Sequence, residues 1–274
     1  MSYAVKVTGG PVALDEIPSR QDGELTKKSA QPELKELCER LRVQQEALFA
    51  AQQRSVLILL QGTDTAGKGG TIEHVMSGLN PSGCHVISFK RPTDLELAHD
   101  FLWRVHPQAP AKGMIAIFDR SYYEDVLIVR VHDLVPKSVW EKRYDAINAF
   151  ERLLLNSGTI VLKFFLHISK EEQAERLKAR EDEEDKRWKI NPTDYQEREK
   201  WDDYRKAYEA MLTRCATEEA PWYVVPADRK WFRTLAVAQT IVEELGKHEA
   251  EWREALLLRG RQNYEALKNK LRSD

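Results

Sequence analysis

Short apolar runs alternate with amphipathic stretches along this 274-residue chain. The apolar runs are continuous, as expected of strands that are buried on both faces of a parallel sheet. Strands that alternate with helices predict an α/β fold, in which helices flank a doubly wound parallel sheet. The predicted strands are residues 55–60, 86–89, 114–118, 159–166 and 222–225.

The stretches between the strands carry helix signals. Pro32 is expected to begin the first helix, because proline suits the first helical turn. Thr93 is expected to cap a helix that extends to Trp103. Residues 1–31 are polar and interrupted by glycine and proline, which predicts an extended arm before a single domain of residues 32–274. The other predicted helices are residues 68–78, 121–130, 137–156, 228–245 and 247–271.

The segment 169–201 is much more highly charged than its neighbours. Ser169 and Glu172 have the spacing of a capping box. Arg176 and Arg180 lie four residues apart and therefore share one helix face. Two helices with a basic turn at their tip indicate a lid at about residues 176–200, which would bring arginines over phosphates. A charged surface hairpin without that function explains the composition equally well.

Composition narrows the functional classes. Hydrophobic residues make up 42% and charged residues 31%, and the net charge of −2 argues against a general nucleic-acid or membrane-surface binder. Cys38, Cys84 and Cys215 are few, odd in number and far apart, as is typical of reduced thiols. The sequence shows neither a signal-peptide pattern nor an apolar run of about 20 residues, so a cytoplasmic protein is expected.

The first predicted strand leads directly into Gly62-x-x-x-x-Gly67-Lys68, the spacing of a Walker A P-loop. Backbone N–H groups of such a loop and the next helix N-terminus surround phosphate oxygens, and the lysine adds a mobile charge. A glycine-rich turn that binds nothing has the same spacing, but the strand before it favours a phosphate site. The predicted phosphate-binding residues here are Gly62, Thr65, Ala66, Gly67, Lys68, Gly69 and Gly70.

A metal site is predicted beside this loop. Gly69 replaces the serine or threonine that usually holds magnesium, and Thr71 comes two residues too late. Asp64 is the substitute oxygen ligand, although an aspartate also suits a turn. Asp119 ends the strand 114–118 at the sheet edge where ligands bind, and Arg120 beside it can neutralise phosphoryl charge. Mg²⁺ is expected as the cofactor, with Mn²⁺ as a substitute. Asp119 with Ser121 also suits a cap for the next helix, and capping and catalysis can coexist.

More basic residues follow other predicted elements. Lys90 and Arg91 follow the second strand, and Arg130 and His132 follow the helix 121–130. Ends of parallel strands converge on one crevice, so a long electropositive channel is expected there. Each of these residues also suits the C-terminal end of a helix as a simple charge.

Several segments in the same order together resemble the type-2 polyphosphate kinase family. They are GTDTAGKGG (62–70), FKRPT (89–93), ELAHDFLWR (96–104), FDRSYYED (118–125), KRWK (186–189) and WDDY (201–204). The similarity covers about residues 30–260. It implies a P-loop kinase-like fold with a helical lid, and magnesium-dependent, reversible phosphate transfer from inorganic polyphosphate to nucleotides. It also implies a homo-oligomer, a dimer or tetramer. The helix 137–156 suits a subunit interface or packing on its own sheet.

The resemblance implies functions for single residues. Asp64 and Asp119 would position magnesium and the acceptor phosphate, and Lys189 would help to hold the polyphosphate chain. The segment that contains Glu124 resembles the subgroup that accepts both AMP and ADP, whereas other members have asparagine near this position and prefer one acceptor. The implied catalytic residues are Asp64, Lys68, Asp119, Arg120, Arg176 and Arg180. The implied nucleotide-binding residues are Asp64, Arg91, Asp94, Glu124 and Asp125.

Two other functions are compatible with the motifs. An ATP-dependent nucleoside or nucleotide kinase of thymidylate-kinase-like fold would carry a similar P-loop, Asp-Arg strand end and lid. A non-catalytic phosphate-binding regulator would keep the loop but lose the charged groups, whereas Asp64, Lys68, Asp119 and Arg120 are all present. Use of polyphosphate without any nucleoside triphosphate separates the first alternative from the family function.

Overall fold

The computed structural model describes residues 2–21 and 24–273. Its strands are β1 (Val5–Val7), β2 (Ser55–Gln61), β3 (Cys84–Ser88), β4 (Ile115–Asp119), β5 (Thr159–His167) and β6 (Trp222–Pro226). They form one sheet in the order β1-β6-β5-β2-β4-β3, parallel except where β1 pairs antiparallel with β6. The predicted mainly parallel α/β sheet is confirmed, and β2 lies at its centre, where successive connections change direction.

Helices cover both faces of this sheet. They are α1 (Lys27–Ala51), α2 (Lys68–Met76), α3 (Asp94–Leu97), α4 (Ile128–Val131), α5 (Lys137–Asn156), α6 (Lys170–Asp182), α7 (Thr193–Glu199), α8 (Trp201–Arg214), α9 (Lys230–Gly246) and α10 (Glu249–Ser273). Alternate residues of β2 enter two separate cores, one formed with α1 and α9 and the other with α5 and α8. Among the described residues, no helix is both long and apolar enough to cross a bilayer.

The first helix begins earlier than predicted. Thr26 accepts a hydrogen bond from the Ser29 N–H, and the Ser29 side chain accepts one from the Thr26 N–H, so this pair caps α1. Pro32 therefore lies inside the helix instead of beginning it. At this position the proline removes one hydrogen bond of the helix, because it has no N–H to donate to the carbonyl four residues earlier.

The N-terminal arm is attached to the sheet rather than merely extended. Its residues 5–7 form β1, and Leu14–Glu16 form a 3-10 turn. The Val12 N–H donates to Thr213 on α8, and the Ser19 hydroxyl donates to Asp228 after β6. Residues 1, 22, 23 and 274, which belong to the predicted arm and domain, lie outside the described residues, as does the Lys186 side chain of the KRWK segment.

Two predicted helices are shorter or divided. Thr93 caps its helix as predicted, but α3 ends at Leu97, so Trp103 lies beyond it. The predicted helix 121–130 is a 3-10 helix, Tyr122–Val126, followed by α4. The tyrosines at 122 and 123 both donate to the buried Glu151, which holds this segment in its tighter form. By contrast, α5 has the predicted bounds, and its apolar stripe packs on the chain's own sheet.

The charged segment forms the predicted pair of helices. We call residues 170–199, which comprise α6, the 3-10 helix Glu184–Lys189 and α7, the helical hairpin. Ser169 caps α6 by accepting from the Glu172 N–H at 3.1 Å. The Glu172 carboxylate instead accepts from Arg176 at 2.8 Å, so half of the predicted capping box is present.

Candidate active site

A cleft of 1420 Å³ lies at the carboxyl edge of the sheet, between the P-loop, the ends of β3 and β4, and the helical hairpin. It gathers most of the residues that the sequence singled out. Those that line it are Asp64, Thr65, Gly67, Lys68, Gly69, Gly70, Lys90, Arg91, Asp119, Arg120, Glu124, Asp125, Arg176, Arg180 and Lys189. Convergence of side chains from four separate segments supports one functional site.

Gly67 shows why the P-loop needs glycine. Its φ is 101°, a left-handed conformation that side chains disfavour. A Cβ atom there would also lie 1.8 Å from Nη1 of Arg233, which reaches the loop from α9. Thr65 has a left-handed φ of 65° as well. The loop is therefore held in a shape that other residues at position 67 would disturb.

The carbonyl oxygens of residues 62–66 each accept a hydrogen bond from a side chain. Lys68 donates to the first two at 2.7 and 3.2 Å, and Gln173 on α6 donates to the third at 3.3 Å. Arg176 donates to the last two at 2.9 and 3.3 Å, and Arg233 also donates to the last at 3.2 Å. Fixed carbonyls orient the peptide units of the loop before any phosphate arrives.

Arg120 links the P-loop to the end of β4. Its Nη2 lies 2.5 Å from Asp64 Oδ1, and its backbone has a strained φ of 63°. Burial alone would lower the pKa of the Arg120 guanidinium, but Glu124 and Asp64 outweigh that effect and raise the pKa. The arginine therefore remains a cation at the mouth of the phosphate loop.

Lys68 is buried and folded across the same loop. Burial and the neighbouring Arg120 lower the pKa of its ammonium, while Asp64 and Asp119 oppose that shift. Thr71, also buried, donates its hydroxyl hydrogen to the Gly67 carbonyl at 3.0 Å. The hydroxyl hydrogen of this threonine is thus engaged inside its own helix.

The donor set beside the loop suits Mg²⁺. Among the described residues, no three histidine, cysteine or acidic side chains are grouped so as to hold a metal by themselves. Asp119 Oδ1 is buried and has no hydrogen-bond partner within the described part of the chain. Magnesium commonly uses one or two carboxylates and completes its octahedron with water and substrate phosphates. Asp119 together with Asp64 fits that pattern.

Beyond Arg120, two acids face the β3 and β4 side of the cleft. With its nitrogen turned to Glu124, the Gln61 amide donates to that carboxylate at 3.1 Å and accepts from Ser121 at 3.0 Å. Burial raises the pKa of the Glu124 carboxyl, although Arg120 opposes the shift. Asp125 accepts from Arg143 at 2.7 Å, and burial raises the pKa of Asp125 to about 6 against the effect of that arginine.

A buried ion pair supports these acids from below. Lys163 on β5 is fully buried and donates to Glu151 on α5 at 2.6 Å and to the Cys215 carbonyl at 2.6 Å. Glu151 in turn accepts from Tyr122 and Tyr123 at 2.8 and 2.7 Å. Because these tyrosines follow Arg120 with only Ser121 between, the ion pair anchors the segment next to that arginine.

On the opposite side, the helical hairpin contributes Arg180. Its Nη1 donates to Asp194 at 3.0 Å and to the Lys189 carbonyl at 3.2 Å. Burial first, and the nearby Asp64 second, raise the pKa of the Asp194 carboxyl, while Arg180 opposes them. The Lys189 ammonium lies 5.0 Å from the ring centre of the exposed Trp188. The hairpin thus presents cations to the cleft.

Some predicted residues lie elsewhere. Gly62 and Ala66 are buried beneath the cleft and do not line it. Arg130 lies 4.9 Å above the Trp140 ring and donates to Tyr144 at 3.3 Å, so it packs on α5 outside the cleft lining. The lining also omits Asp94, the exposed first residue of α3.

Sequence reasoning missed several residues that build the site. Arg233 and Gln173 touch the P-loop from distant helices, and Asp194 holds the hairpin arginine. These contacts connect positions far apart in the chain, and no local motif marks them. The one local signal is that Arg233 lies among the mostly apolar residues 231–238 of the predicted helix 228–245.

A family model described as polyphosphate kinase 2 matches residues 24–253. The chain belongs to the polyphosphate kinase 2 family. A crystal structure of polyphosphate kinase 2 from Arthrobacter aurescens gives a TM-score of 0.85 at 43% identity, covering 88% of this chain and 87% of that one. The fold is accordingly that of a P-loop kinase.

Two relatives have names that state an activity. An AMP/ADP-polyphosphate phosphotransferase of Meiothermus ruber is 52% identical over 219 residues, which cover 80% of this chain and 82% of that protein. An ADP-polyphosphate phosphotransferase of Rhodopseudomonas palustris is 49% identical, and the match covers 76% of each chain. The family resemblance inferred from the sequence motifs is confirmed.

Proposed function

We propose that this protein transfers the terminal phosphate of inorganic polyphosphate to AMP and ADP, giving ADP and ATP in a reversible, magnesium-dependent reaction. The observation that carries the proposal is the meeting of Lys68, Arg120, Asp64 and Asp119 in one large cleft of a polyphosphate kinase 2 fold. The similarity of this chain to a relative named as an AMP/ADP-polyphosphate phosphotransferase supports AMP and ADP as acceptors. Cytoplasmic location and assembly into a dimer or tetramer remain predictions.

Phosphoryl transfer requires positioning and charge neutralisation more than a covalent nucleophile. The N–H groups of the P-loop and the Lys68 ammonium bind phosphate oxygens, and Arg120 bridges donor and acceptor phosphates. Asp64 and Asp119 would hold Mg²⁺, which supplies further charge neutralisation on the phosphate oxygens. Arg120 and Asp64 form an ion pair at 2.5 Å. An incoming phosphate competes with Asp64 for the guanidinium, so it can take the place of that carboxylate.

The order of the strands supports a division of the cleft between the substrates. The β3 and β4 side carries an apolar wall that includes Leu97, Ile128 and Leu134, suited to a nucleotide base. The β5 and β6 side carries Arg180 and Lys189, suited to a polyanion. Donor and acceptor phosphates then meet between them, above Lys68.

Glu124 is the residue to test for acceptor choice. Its partly buried carboxylate lies beside Arg120 and Gln61, where a nucleotide with one phosphate fewer would leave room for a metal or water. Glu124→Asn removes the charge and shortens the side chain by one methylene group, so we expect the ratio of AMP to ADP activity to change by about tenfold, the worth of one charge-assisted contact. Initial rates with each acceptor check this, and an unchanged ratio contradicts the assignment.

The donor is tested by exchange. The purified protein is given ADP with nucleotide-free polyphosphate in one reaction, and AMP or a nucleoside with ATP in another, each with and without chelation of Mg²⁺. We expect ATP in the first reaction and its loss on chelation. Product in the second reaction alone would replace this function with that of an ATP-dependent kinase.

A further inference from the structure

Arg176 makes five hydrogen bonds, one for each N–H group that a guanidinium carries. Its Nε donates to Glu172 at 2.8 Å. Its Nη1 donates to the P-loop carbonyls of residues 65 and 66 at 2.9 and 3.3 Å. Its Nη2 donates to the carbonyls of residues 227 and 228, after β6, at 2.7 and 2.8 Å. All five donors are therefore engaged, and none remains for a phosphate oxygen.

Arg180, one helical turn further along, differs in its surroundings. The Arg176 side chain is 8% exposed, whereas that of Arg180 is 23% exposed and is paired with Asp194 within the hairpin. A phosphate can replace the one carboxylate partner of Arg180 more readily than it can replace the four backbone carbonyls around Arg176. The two arginines share a helix face but not a set of partners.

We propose that Arg176 is a positioning residue, which fastens the P-loop to the base of the helical hairpin and to the loop after β6, and that it does not neutralise the transferring phosphate. It acts through the loop: fixed carbonyls at residues 65 and 66 hold the following N–H groups towards the cleft. The inference rests on the proposed function and changes the part that the family resemblance implied for this arginine.

The two functions predict different kinetics. A distorted phosphate loop binds ground state and transition state less well alike, so Kd and KM rise while kcat changes little. Loss of a contact made only during transfer lowers kcat and leaves Kd unchanged. Lysine at position 176 keeps the charge but provides three donors at a single point, so it cannot span the five acceptors.

The test compares Arg176→Lys with Arg180→Lys, and with Lys178→Ala on the exposed face of the same helix as control. Calorimetry with tripolyphosphate and Mg²⁺, without nucleotide, gives Kd, and steady-state assays give kcat and the KM for polyphosphate. We expect Arg176→Lys to weaken Kd and raise KM by about ten- to hundredfold, with kcat within about threefold. Arg180→Lys is expected to lower kcat instead, and Lys178→Ala to change neither.

An unchanged Kd with a lowered kcat in Arg176→Lys overturns the proposal. If that variant fails to fold, Glu172→Ala loosens the same guanidinium and should weaken Kd by about two- to tenfold at constant kcat; an unchanged Kd there also overturns it. A wild-type protein that binds tripolyphosphate but transfers no phosphate from polyphosphate contradicts the proposed donor. The Kd comparison then still decides the function of Arg176.

Discussion

The two faces of the P-loop are built differently. On the carbonyl face, every acceptor of residues 62–66 is met by a side chain of the protein. On the cleft side, the buried Thr65 Oγ1 of the loop and Asp119 Oδ1, at the neighbouring end of β4, have no hydrogen-bond partner among the described residues. One face thus has its carbonyls satisfied by the protein, whereas the other has polar atoms that are open to a ligand. In the proposed function, a phosphate oxygen would accept from the Thr65 hydroxyl and a cation would bind Asp119 Oδ1.

The arginines follow the same division. Burial lowers the pKa of Arg233 to about 10, and its neighbour Arg176 adds to that shift, so the scaffold face holds two cations close together. Each is kept there by backbone carbonyls. Arg120 on the cleft face is instead paired with a carboxylate. Arg176 and Arg233 are thus held by backbone carbonyls, while Arg120 is held by a carboxylate that a substrate phosphate can replace.

Arg120→Ala should give the largest effect. An arginine on transferring phosphate is worth about 10³–10⁵ in rate, so we expect kcat to fall by about that factor. Because the side chain is 38% exposed, the thermal midpoint should change little. Steady-state kinetics and a thermal melt check both, with Arg152→Ala, an exposed arginine on α5, as control. A kcat loss below tenfold would place Arg120 outside the reaction.

Glu151→Gln tests the support beneath Arg120. It leaves Lys163 buried without its carboxylate, which should lower the free energy of unfolding by about 3–5 kcal/mol. Denaturant titration measures the loss. The double variant Glu151→Gln with Lys163→Met, in which no buried charge is left alone, should recover part of it. An equal free energy of unfolding for the single variant and the wild type would show that the ion pair does not stabilise the fold.

Gly67→Ala tests the scaffold face directly. The new Cβ meets Nη1 of Arg233 at 1.8 Å and requires a φ of 101°, so either the loop or the Arg233 side chain, which bonds the Ala66 carbonyl, must move. We expect the free energy of unfolding to fall by at least about 2 kcal/mol, and tripolyphosphate binding to weaken with it. Gly78→Ala is the matched control, since nothing lies within 4 Å of its added Cβ. Identical melts and Kd values for the two variants would contradict the close packing.

Asp125 should give the smallest effect, as a pH dependence. Its carboxyl has a pKa of about 6 in the fold, raised by burial, against an ordinary value of 3.8. A raised pKa favours the folded state while the acid is protonated, so this contribution is complete below about pH 4 and is lost as pH rises through about 6. Asp125→Asn should therefore remove one decline in stability between pH 4 and 6. Parallel pH profiles of unfolding for both proteins would contradict this.

The features that sequence predicted are those set by near neighbours. The P-loop spacing, the strand before it, the acid at the end of β4 and the bounds of α5 all follow from short patterns, and the structure contains each of them. Ser29 could have moved the predicted start of α1 to Thr26, since the capping residues are adjacent to it. The start of α1 is thus marked by the Thr26 and Ser29 pair and not by Pro32.

Tertiary contacts account for what sequence could not show. Arg176 and Arg180 are the same residue type on the same face of one predicted helix, so the sequence does not distinguish them. Their partners differ because α6 packs against the P-loop and the loop after β6 at Arg176 only. Arg130 was assigned to the phosphate channel because of its position after a helix, yet its guanidinium finds the Trp140 ring. In both cases the partners of the guanidinium depend on the direction of the side chain, which the sequence pattern does not show.

The most direct test of the proposed function is a time course that begins with AMP, Mg²⁺ and nucleotide-free polyphosphate, with nucleotides separated by chromatography. We expect ADP to appear first and ATP to follow from it, at the expense of polyphosphate. ATP from added ADP with AMP inert would contradict the dual acceptor. Absence of product from either acceptor would contradict polyphosphate as the donor.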